Sequence, residues 1–327
     1  MSAVEERTRR SIEDRLFVAA APERLAVLRI LVGSFSVVYM AVRFRAFLTL
    51  ADAAPSRFDP VGVLVLLEAP LSSGILTGVV VASLVLGIAF TAGLWFRISG
   101  PAFGASLLAA TTYRSSWGQL LHFENLLLLH TLIVGFARSA DALSLDARRR
   151  LRSARVGRGA ATGRRPVQDG EDPAYGWPVR LAGVVTVVTY VLAGVAKVRV
   201  GGMDWMVGDT LRNHAAYSAA RLELLGGTAS PIAGPLVAHA WVFPPFATAS
   251  VVLELVAPVA LLGGRIRTAW VTATWVMHAS IAALMYVVFP YPLFLVAFAP
   301  FYRLELLPDR IDRALRGASP SAVAGRG

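Results

Sequence analysis

Residues 179 to 198 read VRLAGVVTVVTYVLAGVAKV, twenty positions with one basic residue near each end and no acidic or basic residue between them. As a helix this run rises about 30 Å, the thickness of a bilayer hydrocarbon core. Similar runs recur along the chain at residues 25 to 43, 74 to 95, 98 to 114, 118 to 137, 246 to 263, 266 to 286 and 287 to 302. The third and the last of the eight are the shortest, and they carry Pro101, Pro290 and Pro292. The expected fold is therefore all-α, a polytopic transmembrane helical bundle of about eight spans.

Composition points the same way. The chain has 327 residues, 56% of them hydrophobic and only 16% charged, whereas soluble domains lie near 45–50% apolar and about 25% charged. Cysteine is absent, which removes disulfides, thiolate metal sites and a Cys nucleophile.

The net charge of +11 becomes informative once the arginines are placed. With residues 1 to 24 cytoplasmic, 22 arginines fall in inner segments and seven in outer loops, namely Arg43, Arg45, Arg57, Arg114, Arg199, Arg212 and Arg221. Arg29 and Arg180 lie in helix ends. The positive-inside rule then puts both termini in the cytoplasm and requires an even number of spans, with the inner (plasma) membrane as the expected location. The basic excess is topological, and anionic lipid headgroups at the inner surface are its expected partners. Nucleic acid is not expected, because the loop from Arg138 to Trp177 has no interleaved aromatic series and contains Asp141, Asp146, Asp169, Glu171 and Asp172.

These readings divide the chain into five parts. Residues 1 to 24 form a cytoplasmic segment with an amphipathic stretch from Glu5 to Phe17, and they lack the short apolar core of a cleavable signal peptide. Residues 25 to 137 form a first four-span half. Residues 138 to 178 make a basic linker whose Gly- and Arg-rich centre runs from Gly157 to Asp172. Residues 179 to 302 form a second four-span half, including an outer loop 199 to 245, and residues 303 to 327 a cytoplasmic tail. In the outer loop Gly201 to Gly208 predicts a turn, followed by a weakly amphipathic stretch from Asp209 to Leu225.

Ionisable residues inside spans are costly and face the bundle interior, so they are the candidate functional groups. Here they are Arg29, His122, Glu124, His130, Lys197, Glu254 and His278. Arg29, one turn into its span, is expected to snorkel to the inner headgroups. Around the fourth span, Trp117, His122, Glu124 and Asn125 concentrate polar groups at the outer end. His122 and Asn125 share a face, and Glu124 needs a cation or a shared proton from another helix. His130 reads as an interhelical hydrogen-bonding group. Glu254 and His278, near the middle of their spans, are expected to pair with each other or with Arg29. No metal is expected, since the histidines lack ligand spacing and a carboxylate cluster.

Lys197 stands apart. It is the only lysine among 32 basic residues, at the outer end of its span with Tyr190 two turns below on the same face. Guanidinium stays charged at any working pH, whereas a desolvated lysine can release its proton and act as a base. The other reading is an interfacial lysine that snorkels.

Several motifs recur in order: Leu94-Trp95-Phe96-Arg97-Ile98-Ser99, Ser115-Ser116-Trp117 with His122 beyond it, Asp141 to Arg150 with its Ser-Leu-Asp-Ala-Arg-Arg-Arg ending, and Tyr190 to Lys197 followed by Asp204-Trp205 and Gly208. In these the chain resembles the HTTM-domain membrane proteins, bacterial relatives of vitamin K-dependent gamma-carboxylase, over roughly residues 25 to 302. DoxX-like membrane proteins share the early arginine and the small helical bundle.

The resemblance implies a lyase-like or oxidoreductase-like enzyme that uses a reduced naphthoquinone such as menaquinol. Lys197 matches the lysine taken as the base that deprotonates the quinol, with Ala196 in place of a preceding lysine. His122 matches the functional histidine, offset by two residues. Glu124, Asn125, Tyr190, Asp204 and Trp205 would shape the surroundings. The carboxylase holds its protein substrate with a large extramembrane C-terminal domain that residues 303 to 327 would not supply, so the resemblance leaves peptide carboxylation open and points first to quinol chemistry. A reading of a different class is a non-catalytic bundle, or a proton-coupled transporter or lipid-handling protein, with Glu254 and His278 as its key pair.

Overall fold

The computed structural model describes residues 18–118, 123–155 and 170–307. The amphipathic stretch Glu5 to Phe17, most of the Gly- and Arg-rich linker, His122 and the chain after residue 307 lie outside them. The described part is helical, and its one extended pairing is an isolated bridge between Ala20 and Asp172. The longer helices are α1 (Pro22–Val42), α2 (Ser73–Ala92), α3 (Phe96–Ser115), α4 (Phe123–Phe136), α5 (Leu145–Arg155), α6 (Pro173–Val207), α7 (Thr210–Leu224), α8 (Phe243–Leu255) and α9 (Gly264–Met285).

Four of these, α1, α2, α6 and α9, are long and apolar enough to cross a bilayer. The protein is thus a membrane protein with an all-helical bundle. In two other expected spans, α4 covers 14 described residues, and α8 comes out short, covering 13 before a 3₁₀ segment, Ala257–Leu262. The expected span 287 to 302 is not a continuous helix. It folds as one turn, Pro290–Leu293, followed by a 3₁₀ segment, Val296–Phe301. Pro290 and Pro292 start it, and Pro300 deprives the segment of a further N–H donor. Irregular backbone at membrane depth is tolerated where protein covers it. Tyr291, Pro292 and Ala297 to Phe301 are all buried, which meets that condition.

The helix ends sort into two layers. At one end Asp146 at the start of α5 accepts hydrogen bonds from the backbone N–H groups of Trp95 (3.0 Å) and Phe96 (2.9 Å), capping α3. Two motifs far apart in sequence, Leu94 to Ser99 and Ser144 to Arg150, therefore meet as a helix cap. This layer also holds the Arg24–Glu305 pair, the Ala20–Asp172 bridge and Arg267 stacked on Tyr302, and it is the arginine-rich end. At the opposite end Tyr113 OH accepts from Leu71 N–H (3.2 Å) and Ser116 O from Asp59 N–H (2.9 Å).

Helix association in lipid relies on close packing at small residues and on buried hydrogen bonds. Gly100 of α3 and Gly135 of α4 show the first. A Cβ on Gly100 would sit 2.4 Å from the Gly135 carbonyl oxygen, so the two backbones touch. His130 shows the second. Its Nε2–H donates to Ala182 O (3.0 Å) on α6, and Nδ1 accepts from Tyr291 OH (2.7 Å) on the broken segment. Thr186 beside it lies 3.1 Å from Ala297 O. The interhelical role expected of His130 is what the structure shows, and the network pins the irregular last segment to α4 and α6.

Arg29 corrects an expectation. Instead of snorkelling to headgroups, its side chain is wholly buried and donates to the carbonyls of Ser139, Leu143 (2.6 Å), Ala142 (3.4 Å) and Thr91 (3.4 Å). The carbonyls beyond the end of α4 have no helical partners of their own, and a buried cation satisfies them at the negative end of the helix dipole.

Candidate functional site

The polar residues expected near one site separate into two clusters, one in each half of the bundle. The first lies where α1 and α3 end and α4 begins. Arg114 Nη1 donates to Glu124 Oε1 at 2.5 Å and to Tyr39 OH at 2.9 Å, and Tyr39 OH donates to the same Glu124 oxygen. Arg43 covers the Tyr39 ring at 4.6 Å. Glu124 is 2% exposed, and its Oε2 has no partner among the described residues. Sequence required a partner from another helix for Glu124, and Arg114 and Tyr39 fill that place. Trp117 packs between Phe58 and Tyr113, while Asn125 points to the exposed side of α4.

The second cluster lies between α6, α8 and α9. Lys197 Nζ donates to Glu254 Oε1 at 2.6 Å. Gly194, one turn before the lysine, allows this approach: a Cβ there would stand 3.1 Å from Glu254 Cβ and 3.0 Å from Leu255 Cδ2. The Lys197 side chain is 21% exposed and that of Glu254 7% exposed, so the lysine is partly accessible and the carboxylate side chain is buried.

The indole of Trp205 lies under Nζ at 5.5 Å. It is brought there because the segment expected as a turn, Gly201 to Gly208, instead continues α6 to Val207 across a kink at Gly202 (φ +54). Asp204 is exposed, and its backbone oxygen caps the kinked end by accepting from Gly208 N–H (3.1 Å).

One layer away, Tyr190 OH and His278 Nε2 are 2.8 Å apart. Glu254 and His278 thus pair with neither each other nor Arg29. Sequence periodicity could not give this result, because α6 supplies a partner to each of them: Lys197 to Glu254 and, two turns away, Tyr190 to His278. Four buried polar atoms of this cluster have no partner among the described residues: Glu254 Oε2, His278 Nδ1, Thr274 Oγ1 and Trp205 Nε1.

An aromatic line joins the two clusters. Phe123, next to Glu124, meets Phe289 edge-on at 6.0 Å, and Phe289 lies 5.1 Å from His278. Two residues of this arrangement escaped sequence reasoning. Tyr39 and Arg114 were hidden, one as an ordinary span residue and the other as an outer-loop cation. A tyrosine and an arginine ending neighbouring spans, opposite a helix that starts with Glu, is the signal that could have found them. Among the described residues there is no group of three His, Cys, Asp or Glu arranged to hold a metal.

No family model, no curated protein and no solved structure matches this chain. Its function has to be argued from the geometry of the site and from the motifs in its sequence.

Proposed function

We propose that this is a multi-pass protein of the cytoplasmic membrane that binds a lipid-soluble naphthoquinol, of the menaquinol class, in the outer half of its second bundle, with Lys197 as general base. The observation that carries the reading is the 2.6 Å contact between the sole lysine and the buried carboxylate of Glu254. Eight crossings with both termini cytoplasmic belong to the same reading. It is supported by the arginine-rich layer at one end and by the broken segment Pro290 to Phe301, buried at Tyr291, Pro292 and Ala297 to Phe301, as the final crossing.

The donor set fits a flat hydroxylated ring. Trp205 supplies an indole face and a buried Nε1–H without a partner among the described residues. Phe289 and His278 add ring surface, and the Lys197 side chain is the more exposed member of the pair. A reduced naphthoquinone supplies an acidic ring hydroxyl there and, with dioxygen as oxidant, a route to a stronger base.

The chain's own residues control one proton. A Lys–Glu pair is neutral overall, which lowers the cost of burying it relative to either group alone. In a low-dielectric interior the proton between them can sit on Glu254 Oε1, which leaves a lone pair on Lys197 Nζ. Nζ then takes a proton from a hydroxyl presented to it, and the ammonium that forms stands beside the resulting anion. An arginine at this position could pair with Glu254 but could not complete that cycle.

The test is oxygen uptake by purified protein supplied with menaquinol, together with extraction of co-purified quinone. Lys197→Arg should fold, keep the ion pair and lose at least about 10²-fold in rate, the usual contribution of a positioned base. Wild-type uptake by Lys197→Arg, or the absence of any naphthoquinone from the wild-type extract and of uptake on its addition, overturns the proposal.

A further inference from the structure

At the arginine-rich end, far from the Lys197 cluster, a groove of about 430 Å³ runs between the first turns of α9 and the chain that follows the broken segment. Its walls include Arg267, Tyr302, Arg303, Leu304, Leu306 and Leu307. The guanidinium of Arg267 stacks on the Tyr302 ring at 5.6 Å, which fixes its position, and its buried Nε has no hydrogen-bond partner among the described residues. Among the described residues Glu305 is the carboxylate that forms ion pairs here, and it is already divided. Oε1 accepts from Arg303 Nε at 2.9 Å, and Oε2 stands 3.7 Å from Arg24 Nε. Arg24 and Arg303 thus share Glu305, with Glu171 adding a more distant negative charge to both, while Arg267 forms no ion pair among the described residues.

The opposite wall is apolar. Leu304 is buried against the core, and Leu306 is 36% exposed. A guanidinium fixed on a tyrosine ring, with its Nε unpartnered among the described residues, beside a strip of leucines matches an amphiphile whose head is an anion and whose body is hydrocarbon. Basic pockets between helices at the cytoplasmic side recognise lipid phosphates in this way, through charge-assisted hydrogen bonds. The positive-inside rule assigns this end to the inner leaflet.

We infer that the groove between α9 and Tyr302–Leu307 is a discrete binding site for an anionic phospholipid of the inner leaflet. The headgroup phosphate is held by Arg267 and Arg303, and an acyl chain lies along Leu306 and Leu307. The site differs from the basic surface of α5, whose Arg148 and Arg149 attract anionic membrane generally, and it does not depend on the quinol reading.

Native mass spectrometry of the full chain, released from micelles doped with equal phosphatidylglycerol and phosphatidylcholine of matched chains, tests it. The wild type should retain one phosphatidylglycerol in preference. Arg267→Gln with Arg303→Gln should weaken retention at least tenfold, while Arg148→Gln with Arg149→Gln, the same loss of charge on α5, should retain it. Arg303 is 65% exposed, so Arg303→Gln alone carries the test if the double variant fails to fold. Equal retention of the two lipids by the wild type, unchanged retention in the groove variants, or an equal loss in the α5 variant overturns the inference. Displacement of the lipid by millimolar inorganic phosphate would also overturn it, since the site would then be one for free phosphate.

Discussion

The two halves of the bundle each bury one cation–carboxylate pair, and the pairs are almost equally hidden: side-chain exposure is 20% and 2% for Arg114 and Glu124, 21% and 7% for Lys197 and Glu254. Burial does not distinguish them; the surroundings and the cation do. Glu124 Oε1 takes two donors at once, and the cation is a guanidinium that keeps its proton, so the first pair locks α1, α3 and α4 together. Among the described residues Lys197 is the one donor to Glu254, and its cation is an ammonium. One pair is braced by a third group, and the other is the pair to which the proposed function assigns a moving proton.

The largest expected effect falls on the lock. Glu124→Leu strands the Arg114 charge and the Tyr39 hydroxyl together, and losing one partner of a buried pair costs about 3–5 kcal/mol. Denaturation in detergent should show this, and a loss under 1 kcal/mol would break the comparison.

Next comes the exchange of cations. Lys197→Arg should abolish quinol-dependent oxygen uptake with stability changed by about 1 kcal/mol or less. Arg114→Lys should leave uptake intact and lower stability by about 1–2 kcal/mol, since it loses the contact shared with Tyr39. The reverse pattern would mean that the active pair has been misplaced.

Gly194→Val tests the approach of the helices. The added carbons meet Glu254 and Leu255 at about 3 Å, and overpacking costs about 1–3 kcal/mol. Activity should fall with stability as α8 is pushed from α6, and unchanged uptake would show that the approach is not required.

The smallest effect should come from Tyr39→Phe. It removes one hydroxyl from the lock, costs about 1 kcal/mol and leaves uptake unchanged in the same assay.

Much of the fold was legible in the sequence. Long apolar runs have one economical solution in lipid, because a helix satisfies its own backbone, and α1, α2, α6 and α9 follow from that alone. Lys197 was legible through composition. The breaks in regularity were not. A kinked α6 reaching Val207 and a last segment split into a turn and a 3₁₀ stretch depend on what covers them, and a local pattern does not report cover. Partners were illegible for a similar reason: Glu124 lies 85 positions from Tyr39 and Glu254 lies 57 from Lys197. The need for a partner is a property of one residue, whereas its identity is a property of the packing.

The sequence by itself therefore determined the solvent, the helical class and the one lysine worth attention. All of these follow from the cost of moving a given residue from water into hydrocarbon, which depends on the residue alone. Tertiary structure decided which charges neutralise which. It closed Glu124 between Arg114 and Tyr39, set Lys197 between Glu254 and the Trp205 ring, and turned Arg29 inward to the carbonyls beyond α4. Those outcomes rest on distances of a few ångströms between segments far apart in the chain, and only packing sets such distances.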